Sequence, residues 1–130
     1  MAYQGQKVLL VDDDPTFTNL YSSVFQAGGI NYSIASSGSQ ALDLAAKESP
    51  QLILLDVMMP NLDGFEVLAK LKQMPEVSNA TIWMVTNLGE QVNQERAANL
   101  GASDYLIKAQ YTPKQIIDKI KSHFDSPPTV

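Results

Sequence analysis

Residues 52–64 constrain this chain more than any other stretch. Leu52, Ile53, Leu54 and Leu55 run without a polar break into Asp56, and Pro60 and Gly64 follow within eight positions. An apolar run bounded by turn residues reads as a strand buried on both faces, which is how the strands of a helix-covered parallel sheet look in sequence. Asp56 then stands where a central strand leaves the core. Open α/β sheets hold their ligands at that end, so a carboxylate there is placed for chemistry.

The remainder alternates in the same way. Val8 to Val11 ends in Asp12-Asp13-Asp14, where Asp14 can cap a helix whose first residue is Pro15 and whose apolar positions are Phe17, Leu20, Tyr21 and Val24. Gly28-Gly29 closes it. A weak strand over Asn31 to Ala35, expected at a sheet edge, leads to a helix from about Ser39 to Lys47. After the opening stretch come a helix from Gly64 to Met74, a strand from Thr81 to Val85 ending in Thr86-Asn87, and a polar helix from Glu90 to Leu100 with only Val92, Ala97, Ala98 and Leu100 to bury. A short strand from Tyr105 to Ile107 ends in Lys108, and Thr112-Pro113 opens a last helix with Ile116, Ile117, Ile120 and Phe124 on its apolar face. Five strands alternating with five helices imply an α/β fold, a doubly wound parallel sheet with helices on both faces.

Several function classes drop out on composition. The chain of 130 residues suits one domain, expected over residues 1–125, with Ser126 to Val130 as a tail or the start of a linker. It has no cysteine, hence no thiol nucleophile or thiolate metal site. No apolar run is long enough to span a bilayer, and the N-terminus lacks a signal-peptide core, so a cytoplasmic protein is expected. A net charge of −5 disfavours direct binding to nucleic acid.

Four of the five expected strands finish in a reactive polar residue: Asp12-Asp13, Asp56, Thr86 and Lys108. Carboxylates gathered there repel and raise one another's pKa unless a cation neutralises them. Oxygen ligands without Cys or His favour a hard ion such as Mg²⁺, with Mn²⁺ as a substitute. A carboxylate nucleophile, a hard cation, an ammonium and a hydroxyl together suit phosphoryl transfer onto Asp56.

The pieces Val8-Leu9-Leu10-Val11-Asp12-Asp13-Asp14-Pro15, Leu55 to Gly64, Met84-Val85-Thr86 and Gly101 to Lys108, in this order and spacing, resemble a response-regulator receiver domain of two-component signalling. The resemblance covers essentially the whole chain. It implies strand order 2-1-3-4-5, Asp56 as phosphoacceptor, and Mg²⁺ held by Asp12, Asp13, Asp56 and the backbone carbonyl of Met58. Thr86 and Tyr105 match the switch pair, and Lys108 the phosphate-binding lysine. It further implies a histidine kinase or histidine phosphotransfer protein as donor, and a downstream protein partner met on the face of the fourth helix, fifth strand and fifth helix. That face also offers a route to a phosphorylation-dependent homodimer. The chain would act as a diffusible relay or as one domain of a longer protein, with phosphorylation and autodephosphorylation chemistry at most rather than turnover.

Two positions depart from the family pattern: Ala109 where a proline usually follows the lysine, and Asn87 where a small residue usually follows the switch threonine. The first calls for a trans bond or a strained site; the second can crowd the phosphoryl pocket or hydrogen-bond to it. Met58 and Leu88, apolar beside acceptor and switch, should hinder an attacking water and slow autodephosphorylation. Asp14 and Asp63 read as caps, His123 as a charge partner of the last helix's C-terminus, and Trp83 and the methionines as core. Rival readings are a non-phosphorylated pseudo-receiver, an aspartyl phosphohydrolase, whose Asp-x-Asp-x-Thr pattern does not follow Asp56, and a flavodoxin-like flavin binder, whose phosphate three carboxylates would repel.

Overall fold

The structure is a computed structural model that describes residues 5–125; the expected tail at 126–130 lies outside the described residues. The elements are β1 (Lys7–Val11), α1 (Pro15–Ala27), β2 (Asn31–Ala35), α2 (Gly38–Glu48), β3 (Leu52–Leu55), α3 (Gly64–Leu71), β4 (Thr81–Thr86), α4 (Gln91–Asn99), β5 (Asp104–Ile107) and α5 (Pro113–Asp125). All strand pairs are parallel, in the order β2-β1-β3-β4-β5, as expected.

Strand periodicity divides the core into two layers. Leu9, Val11, Ile53, Leu55, Ile82 and Met84 pack on the face covered by α2, α3 and α4, against Ala41, Ala45, Phe65, Leu68 and Ala97. Val8, Leu10, Leu52, Leu54, Trp83, Val85 and Leu106 pack on the other, against Tyr21 and Phe25 of α1 and Ile116, Ile117 and Ile120 of α5. Each such large apolar side chain contributes about 1.5–3 kcal/mol on leaving water. That holds the strand ends rigid, and the site is built on them.

Caps set the helix starts. Asp14 accepts the Thr16 N–H at the head of α1, and Asp63 forms a reciprocal capping box with Glu66 at the head of α3. The third helix stops at Leu71, short of Met74, because Met74 precedes Pro75 and takes an extended backbone; a 3-10 turn follows over Pro75–Val77. A second 3-10 turn, Lys108–Gln110, was not expected. In α4 only Ala97 is buried; Val92 is 64% exposed, and Ala98 is also exposed, so this helix is held more thinly than its sequence suggested. No described helix is long and apolar enough to cross a membrane.

Candidate phosphoacceptor site

Register alone brings the acidic residues together. Val11 lies beside Leu55 in the sheet, so Asp12 and Asp56 leave the two central strands side by side. The Asp56 N–H donates to the Val11 carbonyl at 3.0 Å, and the Asp12 N–H to that of Ala35 at 3.0 Å, which extends the ladder into the site. Oxygens of Asp12, Asp13 and Asp56 lie within 4.8 Å of one another. Asp12 is 1% exposed and Asp56 6%, while Asp13 is open to solvent.

Lys108 reaches this cluster from the end of β5. Its Nζ lies 2.6 Å from Asp12 Oδ2 and 3.1 Å from Asp56 Oδ2. The same ammonium sits 4.3 Å from the centre of the Phe17 ring, which stacks on Tyr21. Burial works against the charge on Lys108, but the hydrogen bond to Asp12 and the pull of both carboxylates outweigh it, and its pKa is raised. Burial also pushes the Asp12 carboxyl up, with Asp56 adding to the rise and Lys108 and the Asp14 N–H opposing it. Desolvation, more than the mutual repulsion expected from sequence, is therefore the leading cause for Asp12.

The loop after β3 is folded tightly beneath Asp56. Met58 N–H donates to Asp56 Oδ1 at 3.2 Å, and Gly64 N–H to the Val57 carbonyl at 2.9 Å. A Cβ added at Gly64 would lie 2.2 Å from the Asp56 carbonyl oxygen, so the head of α3 can approach this closely only as glycine. Asn61 takes the left-handed conformation, with φ of 69°. Met58 is 59% exposed, a correction to its reading as core; Met59 and Met84 are buried.

Thr86 is wholly buried, and its Oγ1 accepts the Leu88 N–H at 3.3 Å. Tyr105 packs against the α2–α4 layer and donates its hydroxyl to the Leu88 carbonyl. Burial, then the charge of Asp56, raise the Tyr105 pKa. Asn87 accepts the Ala109 N–H at 3.2 Å. The described residues contain no cis peptide bond, so Lys108–Ala109 is trans, one of the two outcomes the alanine allowed. A cleft of about 300 Å³ beside Lys108 is lined by Phe17, Leu20, Tyr21, Asn87 and Tyr111; Leu20, expected to face the core, is 48% exposed.

Residues 8–121 match the family described as response regulator receiver domain. The chain belongs to this family. It is similar to the transcriptional regulatory protein CpxR homolog of Haemophilus influenzae, at 40% identity over 116 residues, covering 89% of this chain and 49% of that protein. It is also similar to the probable transcriptional regulator ycf27 of Porphyra purpurea, at 36% identity over 122 residues, covering 94% of this chain and 49% of that protein. The chain thus spans about half the length of the curated relatives it matches. Among solved structures it is similar to a CheY-like receiver domain protein from Methanospirillum hungatei JF-1, with a TM-score of 0.84 at 27% identity over 92% of this chain and 94% of that one. As a receiver domain it is a part of two-component signal transduction, a system in which receivers pair with histidine kinases.

Asp12, Asp13, Asp56 and Lys108 of this receiver meet as its sequence suggested. Their acidic triad is typical of receiver metal sites, and the donor set fits a hard cation: three carboxylates, no sulfur or nitrogen ligand, and a buried Asp12 Oδ2 that has no hydrogen bond beyond its ion pair with Lys108. Phe17 was missed. Its helical spacing marked it as core, and no linear signal places a ring under a lysine 91 positions away. His123 stands in the last turn of α5, as expected; its ring also meets Trp83 edge-on at 5.5 Å, and burial, then Lys119, hold its pKa down.

Proposed function

We propose that this receiver accepts a phosphoryl group on Asp56 from a phosphorylated histidine of a kinase or phosphotransfer protein. The observation that carries this reading is the seat of Asp56: a buried carboxylate at the end of a rigid central strand, with an ammonium at 3.1 Å and two further carboxylates beside it. In the transfer a bond forms between an Asp56 oxygen and phosphorus as the P–N bond breaks, and the imidazole leaves with its electron pair. Asp12, Asp13, Asp56 and the Met58 carbonyl would hold Mg²⁺, or Mn²⁺ in its place, which when bound offsets charge on the transferring group. Lys108, already paired with Asp12 and Asp56, would offset charge on the same oxygens. The cleft at Leu20, Phe17 and Tyr111 gives the donor protein an apolar seat at the mouth of the site.

Switching follows from the bonds of the β4–α4 loop. The Thr86 hydroxyl oxygen accepts the Leu88 N–H and its O–H is the group that can donate onward, while Tyr105 holds the Leu88 carbonyl. A phosphoryl group on Asp56 offers the Thr86 hydroxyl a charged acceptor, and the loop re-forms around the new bond. The thinly anchored α4 moves with it, so the output is a changed affinity of the α4–β5–α5 face for a protein partner or for a second copy. The net charge of −5 supports a protein partner rather than direct nucleic-acid contact.

The test is intact-mass measurement after incubation with acetyl phosphate and Mg²⁺. One phosphoryl group is expected on the native chain, and none with a chelator or in Asp56→Asn. Light scattering on the same sample reports any dimer. No adduct under any condition would leave the pseudo-receiver reading in its place, and rapid multiple turnover of the donor would favour a phosphohydrolase.

A further inference from the structure

The β4–α4 loop and the turn after β5 are joined over the site by one side chain. Asn87 Oδ1 accepts the Ala109 N–H at 3.2 Å. That donor exists only because residue 109 is not proline, which has no N–H. The two departures from the family pattern therefore meet in a single bond. Asn87 spends its carbonyl oxygen on this contact.

The neighbouring bonds give the contact its consequence. Leu88 accepts the Tyr105 hydroxyl through its carbonyl, so consecutive residues of the loop are tied to positions 105 and 109. Lys108 lies between those two anchors, one residue before the second. Its ammonium must stay within reach of Asp56 at 3.1 Å and over the Phe17 ring at 4.3 Å. Yet Ala109 and Gln110 are exposed, and the Lys108–Gln110 turn is a single turn of 3-10 helix. A long side chain aims no better than the backbone that carries it, and a displacement of about 1 Å is enough to spoil a reacting geometry.

We propose that Asn87 is a positioning residue for Lys108: its side chain clamps the Ala109 backbone, holds the ammonium at Asp56, and passes movement of the Thr86 loop on to Lys108. The clamp acts on the acceptor chemistry proposed above and rests on that reading. It gives this chain, through a side chain, a fixed turn after the lysine where a proline is the usual residue.

The experiment compares the native chain with Asn87→Ala by NMR and by acetyl phosphate labelling with Mg²⁺. Exchange of the Ala109 amide should speed up by about twofold to tenfold, the worth of one net hydrogen bond, and adduct formation should slow by a similar factor. The Lys108 ε-methylene protons, shifted upfield over the Phe17 ring, should move back toward ordinary lysine values while the β1 and β3 amides stay in place. Asn87→Asp, which keeps the accepting oxygen, should restore protection of the Ala109 amide. Unchanged Ala109 exchange, an unmoved Lys108 signal, or labelling of Asn87→Ala at the native rate would each overturn the clamp. A native chain that takes up no phosphoryl group marks failure of the acceptor reading instead, and the clamp then has nothing to position.

Discussion

At the scale of the residue, the site is three carboxylates and one ammonium, an excess of negative charge that Lys108 offsets only in part. Lys108 is shared between Asp12 and Asp56, and it also lies on the Phe17 face. What surrounds Asp56 would bear on how long a phosphoryl group placed there survives. Met58 and Leu88 line one cleft with Met59 and Phe65, and neither side chain can orient a water by hydrogen bonding. A hydrogen bond of about 1.4 kcal/mol to the attacking water in the transition state is worth tenfold in rate. Met58→Asn combined with Leu88→Glu is therefore expected to shorten the phosphate lifetime by up to about tenfold, read by loss of the mass adduct with time. An unchanged lifetime would remove any role for these two positions.

At the scale of the element, α4 differs from its neighbours. Ala97 is its one buried residue, and its cap residue, Glu90, makes no side-chain capping bond. The helix is held in part by its flank, where the Arg96 guanidinium lies 4.2 Å from the centre of the Phe65 ring. Glu90→Ser supplies a capping hydroxyl and is expected to raise stability by about 0.5–1 kcal/mol, read from the urea midpoint. The C-terminal turn of α2 is the opposite case. Glu48 accepts from Ser33 Oγ at 2.7 Å and pairs with Lys7 at 3.0 Å, tying α2 to β2 and β1. Burial opposes its ionisation, but Ser33 and Lys7 outweigh that, and its folded pKa lies below the ordinary 4.5. The contribution is thus fully present above 4.5 and is lost as pH falls through the depressed value. Glu48→Gln should cost roughly 0.5–1 kcal/mol at neutral pH and close to nothing in acid, measured by urea unfolding at both.

At the scale of the whole molecule, the layered sheet with strand order 2-1-3-4-5 turns the ends of four strands into one site. Much of this was legible in advance, because the buried strands are continuous apolar runs and polar residues recur at their carboxyl ends. Asp12, Asp56, Thr86 and Lys108 were readable for that reason: register follows from burial, and it carries the flanking residue with it. Phe17, Leu20 and the Asn87–Ala109 bond were not. Helical spacing gives a face without saying what lies opposite, and the bond joins loops 22 residues apart through an exposed side chain with no periodic signature. The contact between His123 and Trp83 was not legible either, because Trp83 lies on another element. The central claim of the account is that, of three carboxylates gathered at the carboxyl end of the sheet, Asp56 takes the phosphoryl group. The direct measurement is to label the native chain with acetyl phosphate and Mg²⁺, reduce it with sodium borohydride, which turns an aspartyl phosphate into homoserine, and sequence the peptides by tandem mass spectrometry. The account predicts homoserine at position 56 and unmodified aspartate at 12 and 13. Homoserine at 12 or 13, or phosphate retained on a hydroxyl such as that of Thr86, would contradict it.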